Sequence, residues 1–334
     1  MAEAFNRRRA LTVMAAVAGL PLIPFAGRAH AATDPVIWQG QALGAPATVI
    51  LNHHDKAEAE ALVARVVAEV RRLETIFSLY RADSGLSELN RMGALAAPPA
   101  DLVDLLGHCR TAWETTGGAF DPTVQPLWML YARHFQALGA DPSGPDSRAL
   151  TQALSMVGFD GVRFNGDRIA FAKAGMALTL NGIAQGYITD RVVALLRDAG
   201  VTSSLVEMGE SRAIGARADG SPWRIGLAET ETGERVDTVL PVIDRAVATS
   251  SASGFHFDPS GRFGHILDPR QGAVPPLYRR MSVVAPSATM ADAFSTAFSL
   301  MKQKDIRAVA TAAPEMTVDL TTADGRHFRF GRPL

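Results

Sequence analysis

Residues Met290-Ala291-Asp292-Ala293-Phe294-Ser295-Thr296 carry the densest chemistry in the chain. On a helix Asp292 and Thr296 stand one turn apart, so a carboxylate and a hydroxyl reach one small cation from the same face. Hard oxygen donors, without cysteine or clustered histidine, favour Mg2+ over zinc or copper. The same pair also suits an ordinary helix, with Asp292 complementing the dipole and Thr296 bonding back to a carbonyl. Leu178-Thr179-Leu180-Asn181-Gly182-Ile183-Ala184-Gln185-Gly186-Tyr187 reads as a strand entering a helix through a glycine turn. Such a turn aims backbone N–H groups and a positive helix end at one spot, which suits a pyrophosphate. It is neither a Rossmann fingerprint nor a Walker loop, since both glycine patterns are absent. Three more segments hold polar and glycine residues beyond what a core needs: Phe77–Ser84 with Glu88-Leu89-Asn90, Gly117–Val124, and Gly264–Gly272. In the second, Asp121 could hydrogen-bond a heterocycle or ribose.

Several elements must position these segments. Leu62, Val63, Val66, Val67, Val70, Leu73, Ile76 and Phe77 follow a 3.6-residue period, and Asp55 with Glu58 forms a capping box at the start of that helix. A second helix spans about 101–115 and stops at Gly117-Gly118, with Cys109 inert on it. Residues 136–145 form a loop and a candidate lobe boundary, followed by a short helix. Asn165-Gly166 closes a hairpin within 161–173. Strands are expected at Ala47–Asn52, Ala177–Leu180, Ser204–Met208, Arg224–Ala228, Val239–Ile243 and Met281–Ala285. Helices are expected at about 185–199 and 288–301, and Asp324-Gly325 turns a last hairpin. This mixture is α+β, antiparallel sheets with packed helices. His53-His54 and His108 lack ligand spacing and read as surface or edge residues.

Taken in order, the segments resemble the ApbE family of FAD:protein FMN transferases, over about 43–301. The resemblance rests on Phe77-Ser78-x-Tyr80 with Ser84 and Asn90, Gly118–Val124, Asn181–Tyr187 with Asp190, His265-Ile266-Leu267-Asp268-Pro269-x-x-Gly272, and Ala291-Asp292-Ala293-x-x-Thr296-Ala297. It implies a T-fold-like architecture, FAD as substrate, and Mg2+-dependent transfer of FMN to a threonine hydroxyl of an exported redox protein, with AMP leaving. It also implies flavin contacts from Leu43, Tyr80, Ala119, Phe120, Asp121, Thr179, Gln185, His265 and Leu267. Metal ligands would be Asp292, Thr296 and the Gly182 carbonyl; His265 and Asp292 would be catalytic, His265 contacting the pyrophosphate or assisting proton transfer, with Asp268 shaping the turn before Pro269 instead. This chain departs from the family at Leu43-Gly44-Ala45, where Met-Gly-Thr is usual, and at Met208-Gly209, where two glycines are usual. Thr179 replaces an aspartate and Gln185 a lysine. The export features point to the branch serving nitrous oxide respiration, with a membrane-anchored flavoprotein as acceptor. The departures keep two other readings open: an FAD carrier without catalysis, and an Mg2+-dependent FAD pyrophosphatase.

The chain has 334 residues, 47% hydrophobic and 20% charged, with 33 basic against 34 acidic side chains. A composition of this kind is globular, and a net charge of −1 gives no field to recruit nucleic acid or anionic lipid. Arg7-Arg8-Arg9, an uncharged stretch from Ala10 to Gly27 and Ala29-His30-Ala31 form a cleavable signal over residues 1–31. The arginines ahead of a mild apolar stretch favour the twin-arginine route, placing residues 32–334 in the periplasm as one transferase domain. Gly19, Pro21 and Pro24 make the stretch weak for a spanning helix, so stable membrane insertion is not expected.

Overall fold

The computed structural model describes residues 34–228 and 236–332; the export signal lies outside them. An eight-stranded antiparallel sheet organises the chain, in the order β1-β2-β6-β7-β10-β11-β12-β13. Its strands are β1 (Val36–Ala42), β2 (Ala45–Leu51), β6 (Ser204–Glu207), β7 (Ser211–Ile214), β10 (Ala246–Ser251), β11 (Tyr278–Ala285), β12 (Thr317–Thr322) and β13 (His327–Gly331). A three-stranded sheet contains β3 (Ala94–Ala96), β4 (Val162–Phe164) and β5 (Arg168–Phe171), and a hairpin contains β8 (Trp223–Ala228) and β9 (Val236–Val242). The helices are α1 (Lys56–Phe77), α2 (Gly85–Met92), α3 (Ala100–Thr115), α4 (Gln125–Gln136), α5 (Ser147–Leu154), α6 (Ala184–Asp198), α7 (Ala288–Phe298) and α8 (Gln303–Ala312). The expected α+β class is what forms.

Alternation along the strands divides two cores. Val206, Ala246, Ala248, Val283 and Ala285 face the helices, whereas Leu205, Ala213, Val247 and Val284 face β8 and β9 with Trp223 and Leu240. A slip of one residue in β10 or β11 would exchange the faces, so burial fixes the register. The α1 stripe buries Leu62, Val66, Val70, Leu73, Ile76 and Phe77 in the helix-side core. Each such side chain contributes about 1.5–3 kcal/mol of burial. Asp55 caps α1 by accepting from Ala57 and Glu58 N–H, but Glu58 does not return the bond; His53 Nδ1 lies 2.8 Å from the Asp55 carbonyl, to which it can donate. The capping box is therefore half formed.

Two further expectations change. Residues 136–145 do form a loop, but Leu127 and Tyr131 of α4 share a cluster with Ala153 of α5, so no lobe boundary falls there. Ala177–Leu180 is extended without joining a sheet. Its backbone is served by side chains and loops: Asn90 both donates to the Leu178 carbonyl and accepts its N–H, and Thr179 N–H donates to the Pro122 carbonyl. An amide side chain here does the work of a neighbouring strand.

Candidate active site

Helices α6 and α7 meet closely enough that a Cβ on Gly186 would lie 2.3 Å from the Ala288 carbonyl oxygen. Only glycine permits that approach. Asp190, one turn further along α6, accepts from Ala288 N–H, Thr289 N–H and the Thr289 hydroxyl at 2.6–2.9 Å, and pairs with Arg212. It thereby caps α7 and sets the height of Asp292. Asp292 is buried, and its Oδ2 accepts the Gly186 N–H at 3.0 Å. That N–H would otherwise serve the Gly182 carbonyl one turn back, which accepts no other backbone bond among the described residues. A Cβ on Gly182 would lie 2.9 Å from Thr296 Oγ1, so this glycine abuts the hydroxyl. One carboxylate, one hydroxyl and one carbonyl are thus brought together by the α6–α7 contact. Among the described residues no group of three or more His, Cys, Asp or Glu is placed to hold a metal.

Hydrogen bonds tie the remaining segments to this turn. Tyr80 is 44% exposed and its hydroxyl meets the Asn181 side chain. The Leu43-Gly44 turn between β1 and β2 has positive φ at both residues, 49° and 85°, and Leu43 N–H donates to Glu74 near the end of α1 at 2.7 Å. Pro122 receives Thr179 N–H, and Arg270 donates to the Gly117 carbonyl at 2.5 Å, joining the His265 loop to the Gly117-Gly118 turn. Asp268 accepts Arg270 N–H and exchanges backbone bonds with Gly272, which makes it the turn-shaping residue.

The ApbE family model matches residues 43–319. The chain belongs to the ApbE family. The FAD:protein FMN transferase of Treponema pallidum is 31% identical over 264 residues, 72% of this chain and 71% of that protein. The crystal structure of the ApbE protein from Thermotoga maritima is similar with a TM-score of 0.78 at 27% identity, covering 89% of this chain and 97% of that one. The apo form of Pseudomonas stutzeri flavinyl transferase ApbE gives 0.75 at 25% identity, covering 91% and 97%.

Within this ApbE chain several candidate side chains prove to be internally engaged. The Asp121 carboxylate accepts from Thr123 N–H, the Thr123 hydroxyl and Phe159 N–H, so it braces its own loop. Ala119 and Phe120 lie in the helix-side core, and Leu267 in the cluster beneath α4. The expected row of free amides at the start of α6 is also reduced: Ala184 N–H donates to Leu180 and Gly186 N–H to Asp292, leaving that of Gln185. Cys109 is buried and its thiol pushed up by desolvation, which keeps it inert.

His265 is half-buried, with Nδ1 3.0 Å from the Phe255 carbonyl. A carbonyl only accepts, so Nδ1 carries the proton and Nε2 presents a lone pair. Burial pushes the imidazole down to about 4, against the opposing bond to Phe255, so it is neutral at pH 7. Sequence reasoning missed Glu210 and Glu207, at the β6–β7 turn. Glu210 is buried and raised well above the carboxylate range by desolvation, with Asp292 adding to the effect; burial raises Glu207 to about 7. Between them Gly209, at φ 99°, lies under the Gln185 carboxamide, where a Cβ would come within 2.5 Å. Gln185 as a residue is largely buried. An acidic residue directly after the glycine of a strand turn was the available signal.

Proposed function

We propose that this chain is an FAD:protein FMN transferase that joins FMN from FAD to a threonine hydroxyl of an exported, membrane-anchored flavoprotein and releases AMP. The observation that carries the reading is the convergence of Asp292, Thr296 and Gly182 where α6 meets α7, with the other ordered segments hydrogen-bonded around it. One carboxylate with neutral oxygens fits Mg2+, which takes few protein ligands and completes its shell with water and phosphate. Asp292, Thr296 and the Gly182 carbonyl would hold it; when bound, it neutralises charge on pyrophosphate oxygens facing a nucleophile.

The chain's own groups do the rest. Tyr80 and Asn181 offer a planar ring and an amide at the exposed edge of the site for the flavin nucleotide. Gln185 N–H and its carboxamide are available to phosphate oxygens. In this reading the Nε2 lone pair of His265 takes the threonine proton as oxygen attacks the FMN-side phosphorus, and Nδ1–H on Phe255 holds the ring in that tautomer. Holding both substrates lowers the entropic barrier, so no covalent enzyme intermediate is required.

Incubating the purified chain with FAD, Mg2+ and a threonine-bearing acceptor domain should yield a covalently fluorescent acceptor and AMP. A carrier would give neither product, and a pyrophosphatase would give free FMN and AMP. The export reading places the reaction in the periplasm, and the acceptor in the branch associated with nitrous oxide respiration. Lysine at Arg7, Arg8 and Arg9 should then retain precursor in the cytoplasm; unchanged periplasmic accumulation would argue for the Sec route. Among the described residues no helix is long and apolar enough to cross a membrane.

A further inference from the structure

Away from the site just described, α3 and the β4–β5 hairpin enclose an open cavity of about 650 Å3 whose wall carries Arg110, Arg163 and Arg168. None of its lining residues belongs to the segments that meet Asp292. Arg163 lies on β4 and Arg168 starts β5, joined by a turn that Asn165 Oδ1 fixes by accepting Asp167 and Arg168 N–H. Arg110 reaches in from α3. Its guanidinium sits 5.2 Å from the Phe159 ring centre and 5.0 Å from that of Phe164, and donates once, to the Val162 carbonyl at 3.1 Å. Stacking fixes the plane of the fork while its remaining N–H groups stay free.

The electrostatics are unbalanced. None of the three guanidinia has a carboxylate within 4.0 Å among the described residues, although Asp160 and Asp167 are near in sequence. Many other described arginines also lack an acidic partner, so what sets these three apart is that they line one concavity. Three guanidinia lining one concavity offer an anion charge-assisted bonds from more than one side. Gly107, in the middle of α3, lines the same cavity, and a Cβ on it would meet nothing within 4 Å. Glycine costs a helix interior about 1 kcal/mol relative to alanine. Packing does not require it here, and its effect is to bare helix backbone toward the cavity.

We infer that this cavity binds a phosphate monoester of nucleotide size, its phosphate held by Arg110, Arg163 and Arg168 and its planar part against Phe164 and Gly107. The volume is in the range of small-molecule sites, about 300–1,000 Å3. The site is independent of the reading of Asp292 and His265.

The test is calorimetric titration of AMP into the full chain with FAD saturating, so that the flavin site is filled, and EDTA present, so that FAD is not consumed. Adenosine and inorganic pyrophosphate serve as the comparison probes. AMP should bind at one site, at least about tenfold more tightly than either probe, by roughly 1.4 kcal/mol or more. Arg163→Gln with Arg168→Gln, both exposed, should weaken AMP at least about tenfold, and Gly107→Leu, which fills the cavity without touching charge, should do the same. AMP affinity unchanged in both variants, no binding at millimolar AMP, or pyrophosphate binding as tightly as AMP would each overturn the assignment.

Discussion

Asparagine and alanine at position 292 separate two duties of one carboxylate. Oδ2 of Asp292 accepts the buried Gly186 N–H at 3.0 Å, and the side chain is 4% exposed. Asparagine keeps an oxygen for that bond. Alanine leaves the N–H unsatisfied, which costs about 1–3 kcal/mol. Burial raises the Asp292 carboxyl from 3.8 to about 7, the Gly186 bond opposing and Asp190 adding to it. A raised acid contributes stability that is full below 3.8 and lost as pH rises through about 7. At pH 8 without divalent cation, Asp292→Asn should therefore melt above wild type, and Asp292→Ala below Asp292→Asn. Both should lose at least about 100-fold in FMN transfer, or 2.7 kcal/mol, because the proposed cation loses its charged ligand. Melting curves with EDTA and with Mg2+, beside fluorescence of the acceptor, give the two readouts. The metal assignment fails if Asp292→Asn retains near wild-type transfer at limiting Mg2+, or if Mg2+ raises its melting temperature as much as that of wild type.

Gly186→Ala places a Cβ against the Ala288 carbonyl, so α6 and α7 must separate at a cost of about 1–3 kcal/mol; an unchanged urea midpoint would refute the close approach. His265 binds its proton near 4 in the fold and 6.5 when unfolded, so stability falls as pH drops across that window. His265→Asn should flatten the fall by about 1–3 kcal/mol, as denaturant titrations at pH 4.5 and 7 would show; equal slopes would place the imidazole in water. Gln185→Lys with Thr179→Asp should tighten FAD binding, because charge-assisted bonds of about 1.5–3 kcal/mol replace neutral ones of about 0.5–1.5. Either change alone should do less, since it adds an unpaired charge. A coupling energy near zero in calorimetry would mean that the two positions do not share the flavin site.

The apolar stripe of α1, the Asp55 cap, the stop of α3 at Gly117-Gly118 and the Asn165 hairpin were all legible, because each depends on residues within a turn or two of each other. The ordered motifs were legible for the same reason: their spacing is local, and only their sequence along the chain had to be noticed. What each polar group does was a different matter. Asp121 braces its own loop through Thr123 and Phe159, and Glu58, three residues past the cap, makes no bond back to Asp55. Ala177–Leu180 has the composition of a strand, yet Asn90, 88 residues before Leu178, takes the bonds that a neighbour would have made. The burial of Asp292 and Glu210 near each other required α6, α7 and the β6–β7 turn to pack together. Patterning decides which faces are apolar; which donors and acceptors remain unspent depends on partners brought from far along the chain, and only tertiary packing chooses those.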